Sequence, residues 1–163
     1  MIDDLLVESS KGIRSLVSEY TIKESATTFI QSLDDTTHTT LSIPTSLPSI
    51  RSLAGKAVTN VSILSPSDPA PTGCAVYTVG TVATVFLDVK GRIDIDKEIA
   101  KAKDRLSKAN DIVAKQKKIM DSEWDAKVSE AVKETEREKL KAAEVEGRNW
   151  EASIQQFNRM KIE

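Results

Sequence analysis

Cysteine, histidine, glycine, proline and aromatic residues are all scarce in this chain of 163 residues, and each scarcity closes off a class of function. The single cysteine, Cys74, rules out an internal disulfide and any cysteine-based metal site. The single histidine, His38, rules out a His-Glu-x-x-His zinc motif. Six scattered glycines offer no phosphate-cradling loop; Gly73, Gly80 and Gly91 stand alone and read as turn residues. No Gly-x-Ser-x-Gly elbow occurs. With 4% aromatic and 39% apolar residues, a large core is not expected. No apolar run approaches the roughly 20 residues that span a bilayer. The first ten residues, with Asp3, Asp4 and Glu8, lack the apolar stretch of a signal peptide. The expectation is a soluble intracellular chain that holds no metal.

What is abundant is charge, unevenly placed. Residues 1–91 are rich in Ser, Thr and Val, whereas 92–163 consist largely of Lys, Glu and Ala. A net charge of −2 gives no global signature of nucleic-acid binding. Locally the sign alternates. Arg92–Met120 holds nine Lys/Arg against five Asp/Glu, an excess of four positive charges; Asp121–Glu163 holds eight against eleven, an excess of three negative ones. A polyanion would meet the first of these segments.

The hydrophobic pattern changes at the same boundary. Ile2, Leu5, Leu6, Ile13, Leu16, Val17 and Tyr20 suit an amphipathic helix over residues 1–22, weakened by Gly12. Strands are expected at Ala26–Leu33, Ala57–Leu64, Gly73–Val79 and Thr81–Val89, each rich in Val, Thr, Ile or Phe and bounded by turn residues. Ser46–Ala54 reads as a short helix, with Pro48 near its start and Gly55 just past its end. Three prolines between Pro66 and Pro71 forbid regular structure there. Residues 23–91 therefore read as a small α+β module with a sheet of three or four strands.

From residue 92 the apolar period becomes heptad. Ile95, Ile99, Ala102, Leu106, Ala109, Val113, Gln116 and Met120 form one seam; Leu140, Ala143, Gly147, Trp150, Ile154 and Phe157 form another. A polar break around 121–130 predicts an antiparallel two-helix coiled-coil arm over residues 92–163. If paired residue numbers sum to 252 or 253, Gly147 meets Leu106 and Trp150 meets Ala102, small against large in both layers. The alternative for Gly147 is a bend in the helix.

Chemistry is sparse. His38 lies in a polar, turn-like stretch and Cys74 heads an apolar strand, so both read as structural. Asp94 and Asp96 open the first long helix, where carboxylates favour the positive end of its dipole. One pattern stands out: Lys101, Lys108 and Lys115 fall seven apart on one line of that helix, with Arg105 and Lys118 on neighbouring lines. Such a ridge can track phosphates. It can equally be the solvated outer face of a coiled coil.

Four segments in order carry a resemblance. Leu87-Asp88-Val89-Lys90-Gly91-Arg92-Ile93-Asp94-Ile95-Asp96-Lys97-Glu98-Ile99, leading into Arg105-Leu106-Ser107-Lys108, resembles the junction before the C-terminal coiled coil of valyl-tRNA synthetases. Gly12-Ile13-Arg14-Ser15-Leu16 with Glu19-Tyr20 resembles the last helix of that family's anticodon-binding region. Pro71-Thr72-Gly73-Cys74 is similar to the eukaryotic, fungal form, and Val132 with Thr135-Glu136-Arg137-Glu138-Lys139-Leu140 to the start of the second arm helix. The resemblance implies a non-catalytic segment, either a piece of such an enzyme or a stand-alone copy, whose arm leans on the tRNA elbow through Lys101, Arg105, Lys108, Lys115 and Lys118. It implies no cofactor, and a cytoplasmic or mitochondrial setting. The family's ATP-binding signatures, His-Ile-Gly-His and Lys-Met-Ser-Lys-Ser, have no counterpart in this sequence. The alternative is a copy that binds a protein, such as the full-length synthetase or an elongation factor, through its coiled coil.

Overall fold

The computed structural model describes residues 2–121 and 129–162. In chain order these form α1 (Ile2–Glu19), β1 (Ala26–Ser32), α2 (Asp35–Leu41), α3 (Ser46–Ala54), β2 (Val58–Leu64), β3 (Cys74–Val79), β4 (Ala83–Asp88), α4 (Ile95–Asp121) and α5 (Glu130–Ile162). The fold is α+β, with a mixed sheet in the order β2-β1-β4-β3. β1 runs parallel to β2 and antiparallel to β4, which is antiparallel to β3. A parallel pair needs a crossover connection, which α2 and α3 supply.

The α2 segment corrects the reading of Asp34–Thr40 as a turn. Asp34 caps the helix, accepting from the Thr37 backbone N–H at 2.6 Å and from its hydroxyl at 3.0 Å. Leu41 anchors the other end, fully buried. A good N-cap and one buried leucine outweigh the poor helix propensity of four threonines. The expected α3 is found at its expected bounds, stopped by Gly55 at φ 100°, a backbone angle that a side chain would strain.

One sheet face builds the main core. Ala26, Ile30, Ala83, Val85 and Leu87 of β1 and β4 meet Ile13 and Leu16 of α1 and Ile50 of α3. Gly12 has a packing role there: a Cβ at that position would come within 2.6 Å of the Tyr77 ring, so only glycine lets β3 lie this close to α1. The helix pair joins the same core, since Ile99 of α4 and the fully buried Phe157 of α5 belong to it. The Phe157 ring meets Tyr20 edge-on at 5.9 Å.

α4 and α5 run antiparallel. Asp96 pairs with Lys161 at 2.7 Å near the base, and further along Gly147 faces Leu106 and Ala109. All eight seam residues expected for α4 are buried or half-buried. The Leu106–Gly147 layer stands in its expected register, but close approach does not demand a glycine there: an added Cβ would sit 3.8 Å from Leu106 Cδ1, an ordinary contact. Gly147→Ala is therefore expected to stabilise the protein by about 0.5–1 kcal/mol in urea titrations, through helix propensity alone. The two residues of the next expected layer differ in burial. Ala102 is fully buried, whereas the Trp150 ring is half-buried and carries the Arg105 guanidinium 5.0 Å from its centre. The connection expected near 121–130 lies mostly outside the described residues.

A polar face of α5, not anticipated from the heptads, seals the edge of the sheet. β3 is an edge strand, so alternate backbone N–H groups lack a strand partner. The Cys74 N–H donates to Gln156 Oε1 at 3.2 Å, and the Thr78 N–H to Asn149 Oδ1 at 2.9 Å. Gln156 Nε2 donates in turn to the Pro71 carbonyl at 3.0 Å. Asn149 and Gln156 are two helical turns apart, which matches four residues of strand closely enough to serve both donors. Asn149→Ala or Gln156→Ala leaves an N–H without a partner under the helix. Each should lower the denaturation free energy by about 1–3 kcal/mol, and a surface control such as Gln155→Ala should not.

Candidate nucleic-acid interface

The lysine line of α4 divides into an anchored half and a free half. α4 starts where Asp94 accepts the Lys97 backbone N–H at 3.2 Å, so the acidic opening of the helix works as a cap. Two turns on, Lys101 Nζ lies 2.6 Å from Glu98 and 3.7 Å from Glu19 of α1, and 4.9 Å from the centre of the Tyr20 ring. Arg105 also pairs with the Glu19 carboxylate while its guanidinium covers Trp150. One acidic residue at the end of α1 thus holds two cations of α4. Both contacts are partly shielded from solvent, where ion pairs and cation–π contacts count for more than at an open surface. Tyr20 beneath them is buried, and that burial pushes its phenol above its ordinary range, only partly opposed by a hydrogen bond with Ser153. Around these groups lies a cleft of about 700 Å³ between α1, β3 and the helix pair, into which Tyr77 and Trp150 also face.

Beyond this latch the line runs into solvent. The Lys108 side chain is 72% exposed and, among the described residues, pairs only with Asp104 of its own helix, at 3.0 Å. Exposed pairs of this kind contribute little and exchange readily for another anion. Lys115 and Lys118 are exposed as well, as is Lys117. The seam fixes which way this face turns, because the residues on the opposite side of α4 are held against α5. The structure therefore brings Lys101 and Arg105 together on the module and leaves Lys108, Lys115 and Lys118 outside it. Reading the sequence alone missed Glu19 as the common partner, and no local signal marks it. Asn149 and Gln156 did leave a signal: uncharged amides on one line of a helix otherwise crowded with Glu and Lys.

Cys74 is no nucleophile. It is 1% exposed, and burial pushes its thiol from 9.0 up to about 12. The thiol stays protonated in the fold while the unfolded chain loses that proton as pH passes 9.0. Its contribution to stability is accordingly complete below that pH and lost as pH rises towards 12. Iodoacetamide at pH 8–9 should label the native protein far more slowly than the urea-unfolded chain.

Among the described residues no group of His, Cys, Asp and Glu could hold a metal ion, and no helix is long and apolar enough to cross a membrane. What the geometry defines is an α+β module with an antiparallel helix pair locked to it, the outer part of one helix studded with exposed lysines. The chain is a homologue of a segment of valine–tRNA ligases. It is 34% identical to the mitochondrial valine–tRNA ligase of Saccharomyces cerevisiae over 98% of its own length, which is 14% of that protein. It is 27% identical to the Mus musculus valine–tRNA ligase and 29% to that of Takifugu rubripes, in each case over 96% of the chain and 12% or 13% of the relative. The chain thus spans about one-seventh or less of the relatives it matches, consistent with their C-terminal portion. No family model matches it.

Proposed function

We propose that this chain is a tRNA-holding segment of the valine–tRNA ligase type, in which the α4–α5 pair acts as a coiled-coil arm against the tRNA elbow. Lys108, Lys115 and Lys118 meet phosphates at that corner, and Lys101 and Arg105 fix the arm's angle by gripping Glu19. The observation that carries this reading is the division of one lysine line into an anchored half and a solvent-exposed half on a single rigid helix. At 1.5 Å per residue α4 alone is about 40 Å long, enough to reach well past the module. On this reading the segment binds and orients tRNA but performs no chemical step, and it works where translation does, in the cytosol or the mitochondrion.

The test is a fluorescence-anisotropy titration of whole tRNA with the full chain at several salt concentrations. Contacts to three phosphates give a log–log salt slope near −2.7, with little difference between tRNAs because phosphates carry no sequence. Absence of binding at about 50 mM salt would overturn the reading and favour a protein partner for the helix pair.

A further inference from the structure

We propose that the outer face of the sheet, where α5 overhangs β3 and β4, is a second nucleic-acid contact, and that it takes unpaired nucleotides of an RNA strand. The side chains there come from the outward positions of the strands. Val76, Thr78, Thr84 and Phe86 sit in facing pairs on β3 and β4, and they line a groove of about 380 Å³ closed on one side by α5. Its two charged residues are Arg148 and Arg159, and no acidic side chain lines it.

These two arginines differ from every other arginine in the chain. Arg14 donates to the Leu53 carbonyl, Arg51 to that of Thr59, and Arg92 to those of Glu24 and Ser25. Arg105 pairs with Glu19 and Arg137 with Glu134. Arg148 and Arg159 are exposed and have no such partner among the described residues. They lie eleven residues apart, three helical turns, so both project from one side of α5 with a rise of about 16 Å between them. That separation suits two phosphates a few nucleotides apart on one strand better than one small anion.

The floor of the groove continues into a stacking surface. Phe86 is the direct cross-strand partner of Phe29, with both rings on the outer face. Phe29 packs beside the small cluster of Cys74, Val76 and Phe86 but is only half-buried. A half-buried ring that extends a groove lined by unpaired arginines, hydroxyls and a Gln155 amide fits a base and its phosphates. Duplex would not serve, because its base faces are stacked away. An acidic peptide would satisfy the arginines but would gain nothing from the ring. The surface shares no residue with the lysine line of α4.

The probe is a fluorescein-labelled oligouridylate of about eight nucleotides, titrated with the full chain at several salt concentrations. The wild-type protein should bind it. Arg148→Ala with Arg159→Ala should weaken binding at least about tenfold and make the salt slope shallower by about 1.4, two single-strand phosphate contacts. The Arg148→Lys, Arg159→Lys pair should keep the slope. Phe29→Leu, which keeps an apolar side chain but removes the ring, should weaken binding about fivefold or more with an unchanged slope. Lys108→Glu with Lys115→Glu, which removes the arm's phosphate contacts, should weaken oligouridylate binding less than the arginine pair does, and the Phe29→Leu effect should persist in that background, which separates this site from the arm. Thermal melts followed by circular dichroism check that each variant is folded. The proposal is overturned if the wild-type chain does not bind the oligonucleotide, if the arginine or Phe29 variants bind as well as the wild type, or if a glutamate-rich peptide of matching charge displaces the RNA as effectively as unlabelled RNA does.

Discussion

Phe157→Ala should destabilise the whole protein by about 3–5 kcal/mol, the usual cost of emptying a large aromatic site in a core. Phe157 comes from the last turns of the helix pair, yet it is fully buried, meets Tyr20 edge-on and shares its cluster with residues of α1, the sheet and α4. The cavity left by its removal would open between elements that cannot close over it without tilting α5. Tilting α5 in turn pulls Gln156 away from Cys74 and Asn149 from Thr78. The loss should therefore appear as one cooperative shift, with circular dichroism and the exposure of the buried Cys74 thiol of the module moving together in urea. If the helix pair were an independent appendage, the helical signal would instead separate from that of the module. Trp150→Ala supplies the contrast. Its ring is half-buried and covered mainly by Arg105, so its removal should cost roughly 1–2 kcal/mol, part of the full burial contribution.

The second large effect is on binding. Lys108→Glu combined with Lys115→Glu should remove tRNA binding at salt concentrations where the wild type is half-saturated. Both side chains point away from the seam, so helicity and melting temperature should be unchanged. Each lost duplex-phosphate contact accounts for about 0.9 in the salt slope, so neutralising both residues as Ala should make the slope shallower by about 1.8. Lys101→Ala should act differently. It breaks contacts to Glu98, Glu19 and Tyr20, so it should lower stability and loosen the arm rather than reduce the slope by a full phosphate contact. Equal slope changes for Lys101→Ala and Lys108→Ala would contradict the division of the line into an anchor and a contact.

The heptad spacing made most of the helix pair legible, because burial along α4 follows apolar residues at fixed intervals and little else competes with that pattern. Strand positions were equally plain where Val, Ile and Phe lay between turn residues. What stayed hidden was decided by partners distant in sequence. A segment of four threonines and one histidine becomes α2 only because Asp34 and Leu41 hold its two ends. Gly12 looked like a weakness in α1 until Tyr77, sixty-five residues later, packed closely against it. The lysine ridge was visible, but its division was not, since Glu19 is one unremarkable carboxylate on another helix. The same holds for the cover of Trp150, since the Arg105 guanidinium stands over its ring from the facing helix.

The resemblance to valine–tRNA ligases was readable from four segments in order, and the homologues bear it out along nearly the whole chain. What the chain touches on tRNA is best tested by hydroxyl-radical footprinting of a full tRNA bound to the intact protein at low salt. Contact through Lys108, Lys115 and Lys118 at the elbow predicts backbone protection in the D- and T-loops, lost when Lys108 and Lys115 are changed to glutamate. Protection confined to the anticodon stem or the acceptor end, or a pattern unaltered by those substitutions, would contradict it.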